Sequence, residues 1–189
     1  MPDAVTAGRP GFCAVSPMPP LGMVTLRGDL PDPRLQAAVT AIAGHPAPAP
    51  LRIEGTSESG AAWMSPDELL LFVPRGEGAS AAARLSETLA GTHHLALDVS
   101  DLRLGIALDG PGAREVLAKL SPADLHPDAF APGHFRRTRL GQIAGGLWLE
   151  GQGARVVTFR SVADYALRLL EQSAADGPVG LFHAGASPG

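Results

Sequence analysis

The segment Glu68-Leu69-Leu70-Leu71-Phe72-Val73 is apolar without interruption after its first residue. Its length and its continuous apolar run predict a β-strand that is buried on both faces. A helix is predicted directly after it, over residues 80–90, because small and apolar residues recur there on one face. A pair of strands follows over residues 94–99 and 102–108, joined by a turn too short for a crossover helix.

The same criteria predict strands and helices on both sides of this region. Further strands are predicted over residues 23–27, 51–55, 61–64, 138–150 and 155–159. Further helices are predicted over residues 31–43 and 111–120, and a last helix begins at Ser161, whose hydroxyl forms a capping-box pattern with Asp164. Short helices separated by pairs of strands are typical of an α+β domain in which helices cover antiparallel sheet. Two structurally similar α/β halves are an open alternative.

The two ends of the chain differ in composition from its middle. Residues 1–20 are rich in Gly, Pro and Ala, which predicts a flexible arm, and residues 21–175 are expected to form a single α+β domain. Residues 176–189 form a polar tail that Leu181 and Phe182 interrupt. A docked tail and a frayed tail are both compatible with this pattern.

Charge and composition disfavour several classes of protein. The chain has 189 residues, 15 basic and 19 acidic side chains and a formal net charge of -4, whereas a nucleic-acid-binding protein usually has a basic excess. No apolar run is long enough for a membrane span, and no basic stretch followed by an apolar run suggests a secretory signal. Cys13 is the only cysteine, so no intrachain disulfide can form. We therefore expect a cytoplasmic protein that binds neither nucleic acid nor membrane.

A glycine-rich loop is the most suggestive local motif. Gly76-Glu77-Gly78-Ala79-Ser80-Ala81 follows a predicted strand and opens a predicted helix, and Asp98 lies about 20 residues further on. This order matches a dinucleotide-binding fingerprint. Pro74 and Arg75 separate the strand from the first glycine, however, and no second crossover helix follows Asp98. A flexible loop capped by Ser80 is the competing interpretation.

No arrangement of residues indicates a catalytic or metal site. The histidines have no metal-binding spacing with one another, with Cys13 or with acids. Cys13 lies in the predicted arm, and no Gly-x-Ser-x-Gly elbow is present. We therefore predict no catalytic, cofactor-binding or metal-binding residue in this chain.

Two groups of residues are candidates for a protein interface. Arg136, Arg137 and Arg139 form a dense basic cluster, which either protects an edge strand from aggregation or docks an acidic partner surface. Leu181 and Phe182 are the second group, because large apolar residues in a polar tail can anchor an interface.

Several segments together resemble one known family. Trp63-Met64-Ser65-Pro66-Asp67-Glu68-Leu69-Leu70 is similar to the Trp-x-x-Pro-Asp-Glu-x-Leu segment of the sarcosine oxidase gamma subunit family. Leu108-Asp109-Gly110-Pro111-Gly112-Ala113, Asp124-Leu125-His126-Pro127 and Arg160-Ser161-Val162-Ala163-Asp164-Tyr165 resemble later blocks of that family. No single motif is specific, but the order and spacing of the segments are.

The resemblance implies a fold like that of the folate-binding domain of aminomethyltransferases. It implies a non-catalytic subunit of a heterotetrameric sarcosine oxidase that contacts chiefly the large alpha subunit. Flavins, NAD and tetrahydrofolate are then expected on the partner subunits, where sarcosine is oxidatively demethylated. Two alternatives are a stand-alone folate-dependent aminomethyltransferase-like protein and a dinucleotide-binding oxidoreductase domain.

Overall fold

Two five-stranded antiparallel sheets and four helices make up the computed structural model, which describes residues 12–182. The strands are β1 (Ala14–Pro17), β2 (Gly22–Gly28), β3 (Ile53–Gly55), β4 (Gly60–Ser65), β5 (Glu68–Val73), β6 (His94–Asp98), β7 (Arg103–Asp109), β8 (Phe135–Leu140), β9 (Ile143–Glu150) and β10 (Gly153–Phe159). The helices are α1 (Pro33–Ala43), α2 (Gly78–Thr88), α3 (Ala113–Ala118) and α4 (Ala163–Ala175). None of these helices is long and apolar enough to cross a bilayer.

The two sheets have the same internal arrangement. One has the strand order β3-β4-β5-β2-β6 and the other β1-β7-β10-β9-β8. The first follows a β-α-β-β-α-β path through β2, α1, β4, β5, α2 and β6. The second follows an equivalent path through β7, α3, β9, β10 and α4, but its last strand is β1, from the other end of the chain. The alternative of two similar halves therefore describes the molecule.

Apolar side chains form three layers of core. One core lies between the first sheet and helices α1 and α2, and another lies between the second sheet and helices α3 and α4. The third joins the inner faces of the two sheets, where the ring centroid of Trp148 lies 5.4 Å from that of Phe72 and 5.9 Å from that of Phe135. Strand β5 is buried along its whole length because it contributes to both cores of its sheet.

The prediction that residues 1–20 form a flexible arm is wrong for its described part. Strand β1 pairs in antiparallel register with β7, from Ala14 opposite Asp109 to Pro17 opposite Ile106. Cys13 and Val15 are buried beneath it in the helix-covered core. Buried apolar residues alternate with exposed residues here, which is typical of a strand with one buried face. The high proline content of the segment instead favoured the prediction of an arm. Residues 1–11 lie outside the described residues.

Other predicted boundaries also change. The strand predicted over residues 138–150 is two strands, because Gly141 adopts φ 57° and turns the chain between β8 and β9. The predicted cap at Ser161 does not form, since a 3-10 turn covers Arg160–Val162 and α4 begins at Ala163 with no side-chain cap. The domain also extends beyond residue 175, because the Val179 and Gly180 amides donate to Oε2 of Glu115 at 2.7 and 2.9 Å.

The carboxylate of Glu150 ties the two halves together beside the inter-sheet core. It accepts hydrogen bonds from the backbone amide and the hydroxyl of Ser57, both at 2.8 Å, and from Nε1 of Trp148 at 3.0 Å. Nε of Arg155 lies 3.3 Å from its Oε1. Burial raises the pKa of Glu150, but these hydrogen bonds and the charge of Arg155 outweigh it, so the pKa lies below its ordinary value.

We predict that deleting residues 1–17 lowers the free energy of unfolding substantially, because β7 loses a neighbouring strand and the core loses Cys13 and Val15. The single change Val15→Ala should cost about 1–3 kcal/mol, measured by guanidinium denaturation. A synthetic peptide of residues 12–21 should restore part of the stability of the deletion variant. An unchanged unfolding midpoint after the deletion would contradict the role of β1.

We predict that Glu150→Gln destabilises the protein by about 1.5–3 kcal/mol at neutral pH, because the buried donors lose a charged acceptor. The folded-state pKa of Glu150 is depressed. The stabilisation is therefore complete above the unfolded pKa and is lost as the pH falls through the folded one. Denaturation curves of both proteins should converge toward acid pH. Glu58→Gln, an exposed change in the same turn, is the control and should show no such pH-dependent difference.

Candidate functional site

The glycine-rich loop does not form a dinucleotide site. It connects β5 to α2 as expected, but β2 lies between β5 and β6 and pairs antiparallel with both of them. The two strands that α2 joins are therefore not neighbours, whereas the fingerprint belongs to a β-α-β unit of adjacent parallel strands. Asp98 places its carboxylate against Gly78 in the first turn of α2, where a phosphate would have to lie. Its Oδ1 accepts hydrogen bonds from the amide and hydroxyl of Ser100 at 2.9 and 2.5 Å.

A solvent-open cavity of about 580 Å³ lies beside this loop. Arg75 and Arg160 contribute positive charge to its lining, and Asp98 and Asp101 contribute negative charge. Arg160 is already engaged, because its Nε donates to the carbonyl of Asp101 at 2.8 Å and holds the turn between β6 and β7. The cavity therefore has mixed charge and a structural arginine in its wall.

The only cysteine does not have the environment of a nucleophile. Burial, together with the negative charge of Asp109, raises the pKa of the Cys13 thiol to about 11. The thiol is thus protonated at neutral pH, whereas a nucleophilic cysteine is a thiolate. Within residues 12–182, no group of three or more His, Cys, Asp or Glu side chains could hold a metal ion.

The predicted arginine cluster separates into two parts. Arg136 lies on the helix-covered side of β8 and donates to the carbonyls of Ala129 and Phe135 at 2.9 and 3.0 Å. Its guanidinium also lies 5.5 Å from the ring centroid of Phe130, so Arg136 stabilises the fold itself. Arg137 and Arg139 are exposed and point to the opposite face of β8.

The predicted apolar pair in the tail also separates. Phe182 is half-buried against the core between the second sheet and helices α3 and α4. The guanidinium carbon of Arg114 lies 5.9 Å from its ring centroid, and the ring centroid of His126 lies 6.2 Å from it. Leu181 is exposed. The described part of the tail is therefore docked, and Leu181 is the member of the pair that faces solvent.

One end of the layer between the two sheets is not closed. On the first sheet, Arg27 of β2 and Leu95 and Leu97 of β6 lie on the inner face. On the second sheet, Arg103 of β7, Arg137 of β8 and Phe159 of β10 line a cleft together with Met64 of the first sheet. Glu68 connects the two groups, because it is bonded to Arg27 and its charge acts on Arg103. We call these two groups of residues together the open end. Of these residues, only Arg137 is among the interface candidates that the sequence predicts. The other five come from four strands that the fold brings together, and no local sequence pattern connects those strands.

Comparisons with known proteins agree with the fold and with the sequence segments. A model of the sarcosine oxidase gamma subunit family matches residues 27–176. The sarcosine oxidase subunit gamma of Corynebacterium sp. strain P-1 is 41% identical over 100 residues, which are 53% of this chain and 47% of the relative. The match thus spans about half of the length of that curated relative.

Solved structures show the same fold. A chain of the heterotetrameric sarcosine oxidase from Corynebacterium sp. U-96 superposes with a TM-score of 0.81 and 27% identity, over 91% of this chain and 89% of that one. The glycine cleavage system aminomethyltransferase T from Bartonella henselae superposes with a TM-score of 0.59 and 14% identity, over 85% of this chain but 45% of that enzyme. The second likeness concerns the fold alone and confirms the expected aminomethyltransferase-like architecture. On the family match, this chain belongs to the sarcosine oxidase gamma subunit family.

Proposed function

We propose that this chain is the gamma subunit of a heterotetrameric sarcosine oxidase-type complex and has no catalytic centre of its own. The observation that carries the proposal is the superposition with a chain of a heterotetrameric sarcosine oxidase over 91% of this chain. In this proposal, sarcosine oxidation and one-carbon transfer to tetrahydrofolate take place on the other subunits. Those subunits hold the flavins and NAD, and the large alpha subunit is the chief contact.

The chemistry of the described residues supports a role for this chain without a reaction of its own. The Cys13 thiol is held protonated, and the first turn of α2 is occupied by the carboxylate of Asp98. Arg114 lies between the carbonyls of Leu125 and Phe130, where it supports a loop rather than faces a ligand. A subunit whose polar groups are engaged in this way acts through its surface.

A stand-alone folate-dependent aminomethyltransferase-like enzyme is the second candidate. The likeness to an aminomethyltransferase fold favours it, but this chain superposes on 45% of that enzyme. A binding site for folate would have to be completed by a second protein or a second copy. The subunit proposal needs no folate site in this chain.

We predict that the purified chain shows no flavin absorbance and no sarcosine-dependent oxygen uptake. Co-expression with the other subunits of the complex should yield a yellow assembly that contains this chain and oxidises sarcosine. Tetrahydrofolate should leave the fluorescence of Trp63 and Trp148 in the isolated chain unchanged. A flavin spectrum from the isolated chain would contradict the proposal, and folate binding with transferase activity would favour the second candidate.

A further inference from the structure

Strand β6 carries two uncovered leucines on the inner side of its sheet. Leu95 pairs with Arg27 and Leu97 pairs with Thr25 across the β2–β6 ladder, so they share the face on which Met23 enters the inter-sheet core. Each is 49% exposed, whereas Val99, the next inward residue, is 5% exposed. The second sheet therefore covers the inner face at Val99 and leaves it open at Leu95 and Leu97.

The opposite wall of the open end combines an aromatic ring with positive charge. Phe159 is 46% exposed, and the guanidinium of Arg103 lies 4.9 Å from its ring centroid. A narrow cleft beside them is lined by Met64, Arg103, Arg137, Gly145 and Gly146. The two glycines present only backbone there, which leaves the arginine side chains as the polar groups of the cleft.

The charges of the open end are not balanced. Arg27 holds Glu68 through a hydrogen bond of 2.9 Å and lies 3.9 Å from Asp67. Burial lowers the pKa of Arg103, the charge of Glu68 raises it and the charge of Arg137 lowers it again. Within residues 12–182, Arg103 and Arg137 have no ion pair or side-chain hydrogen bond to a carboxylate. Glu68 is held by Arg27, so Arg103 is a half-buried guanidinium without a direct ion pair. This is costly, and a carboxylate supplied from outside would relieve the cost.

We propose that the open end is the surface on which a larger subunit of the complex docks. The occupant is a segment of that subunit with a carboxylate beside apolar side chains. The carboxylate lies between Arg103 and Arg137, and the apolar side chains cover Leu95, Leu97 and Phe159. The proposal rests on the proposed function, because it needs a partner subunit.

Charge argues against a second copy of this chain as the occupant. A two-fold contact brings the same surface of both copies together, so the positive charge of Arg103 and Arg137 would be doubled within one interface. A contact of like charges is unfavourable. An acidic segment of a different subunit has the complementary charge, although the chain as a whole has a net charge of -4.

Two variants test the open end, and each has a matched control. The first is Arg137→Glu, with Arg168→Glu on the exposed side of α4 as its control. The second is Leu95→Ser with Leu97→Ser, with Leu181→Ser as its control. Arg137, Leu95 and Leu97 are exposed, so thermal melts of the isolated variants should match that of the wild type. Affinity is measured by titrating each chain into a complex of the remaining subunits that was expressed without it.

We expect Arg137→Glu to weaken assembly by about tenfold or more at ~50 mM salt, with a smaller effect at ~500 mM because added salt screens the charges. The double serine variant should weaken assembly by about tenfold or more at both salt concentrations. Arg137→Lys should lie between wild type and Arg137→Glu, since lysine keeps the charge and loses the planar fork. Both control variants should assemble within about twofold of the wild type.

The possible failures can be distinguished. Wild-type affinity of both Arg137→Glu and the double serine variant overturns the open end as the docking surface and leaves the proposed function intact. Weakened assembly of Leu181→Ser alone assigns docking to the tail instead. If the wild-type chain dimerises by itself and the double serine change makes it monomeric, the open end binds a second copy of this chain instead. A wild-type chain that binds none of the other subunits overturns both the docking surface and the proposed function.

Discussion

The packing of Trp148 against Phe72 and Phe135 is the contact on which the rest of the structure depends. Each sheet is covered by helices on its outer face, so its inner face would be exposed if the other sheet were absent. The three rings come from both sheets and exclude water from the centre of the molecule. Glu150 lies at the rim of this core and connects Trp148 to the Ser57 turn of the other sheet. The two similar halves therefore behave as one folded unit.

Strand β1 connects the halves in a second way. It precedes the first unit in the chain, yet it completes the sheet of the second. Its pairing with β7 joins residues far apart in sequence, so the whole of the first half lies in the chain between two neighbouring strands of the second sheet. The described tail is held on the second half, because the Val179 amide donates to Oε2 of Glu115 and Nζ of Lys119 donates to the carbonyl of Gly177. Both ends of the described chain thus contribute to one core.

The location of the proposed docking surface follows from how these layers close. Helices cover the outer faces, and hydrogen bonds between the segments around Ile53 and Phe135 join the two sheets along one side. Neither the helices nor these hydrogen bonds cover Leu95 and Leu97. Positive charge at the same place, from Arg103 and Arg137, restricts the kind of segment that can complete it. In the proposed function, this combination of charge and apolar surface makes the chain selective for its partner.

The sequence by itself determined the α+β class, strand β5 and membership of the family, because these depend on local periodicity and on ordered motifs. It did not determine the place of β1, the turn at Gly141 or the start of α4, because a proline-rich strand and a glycine turn have weak local signals. Only the tertiary structure decided which candidate residues face outward. Arg136 and Phe182 make contacts within the fold, whereas Arg103, Phe159 and Leu97 reach the open end from separate strands. The physical reason is that sheet register, which depends on contacts between distant segments, sets the neighbours of each side chain.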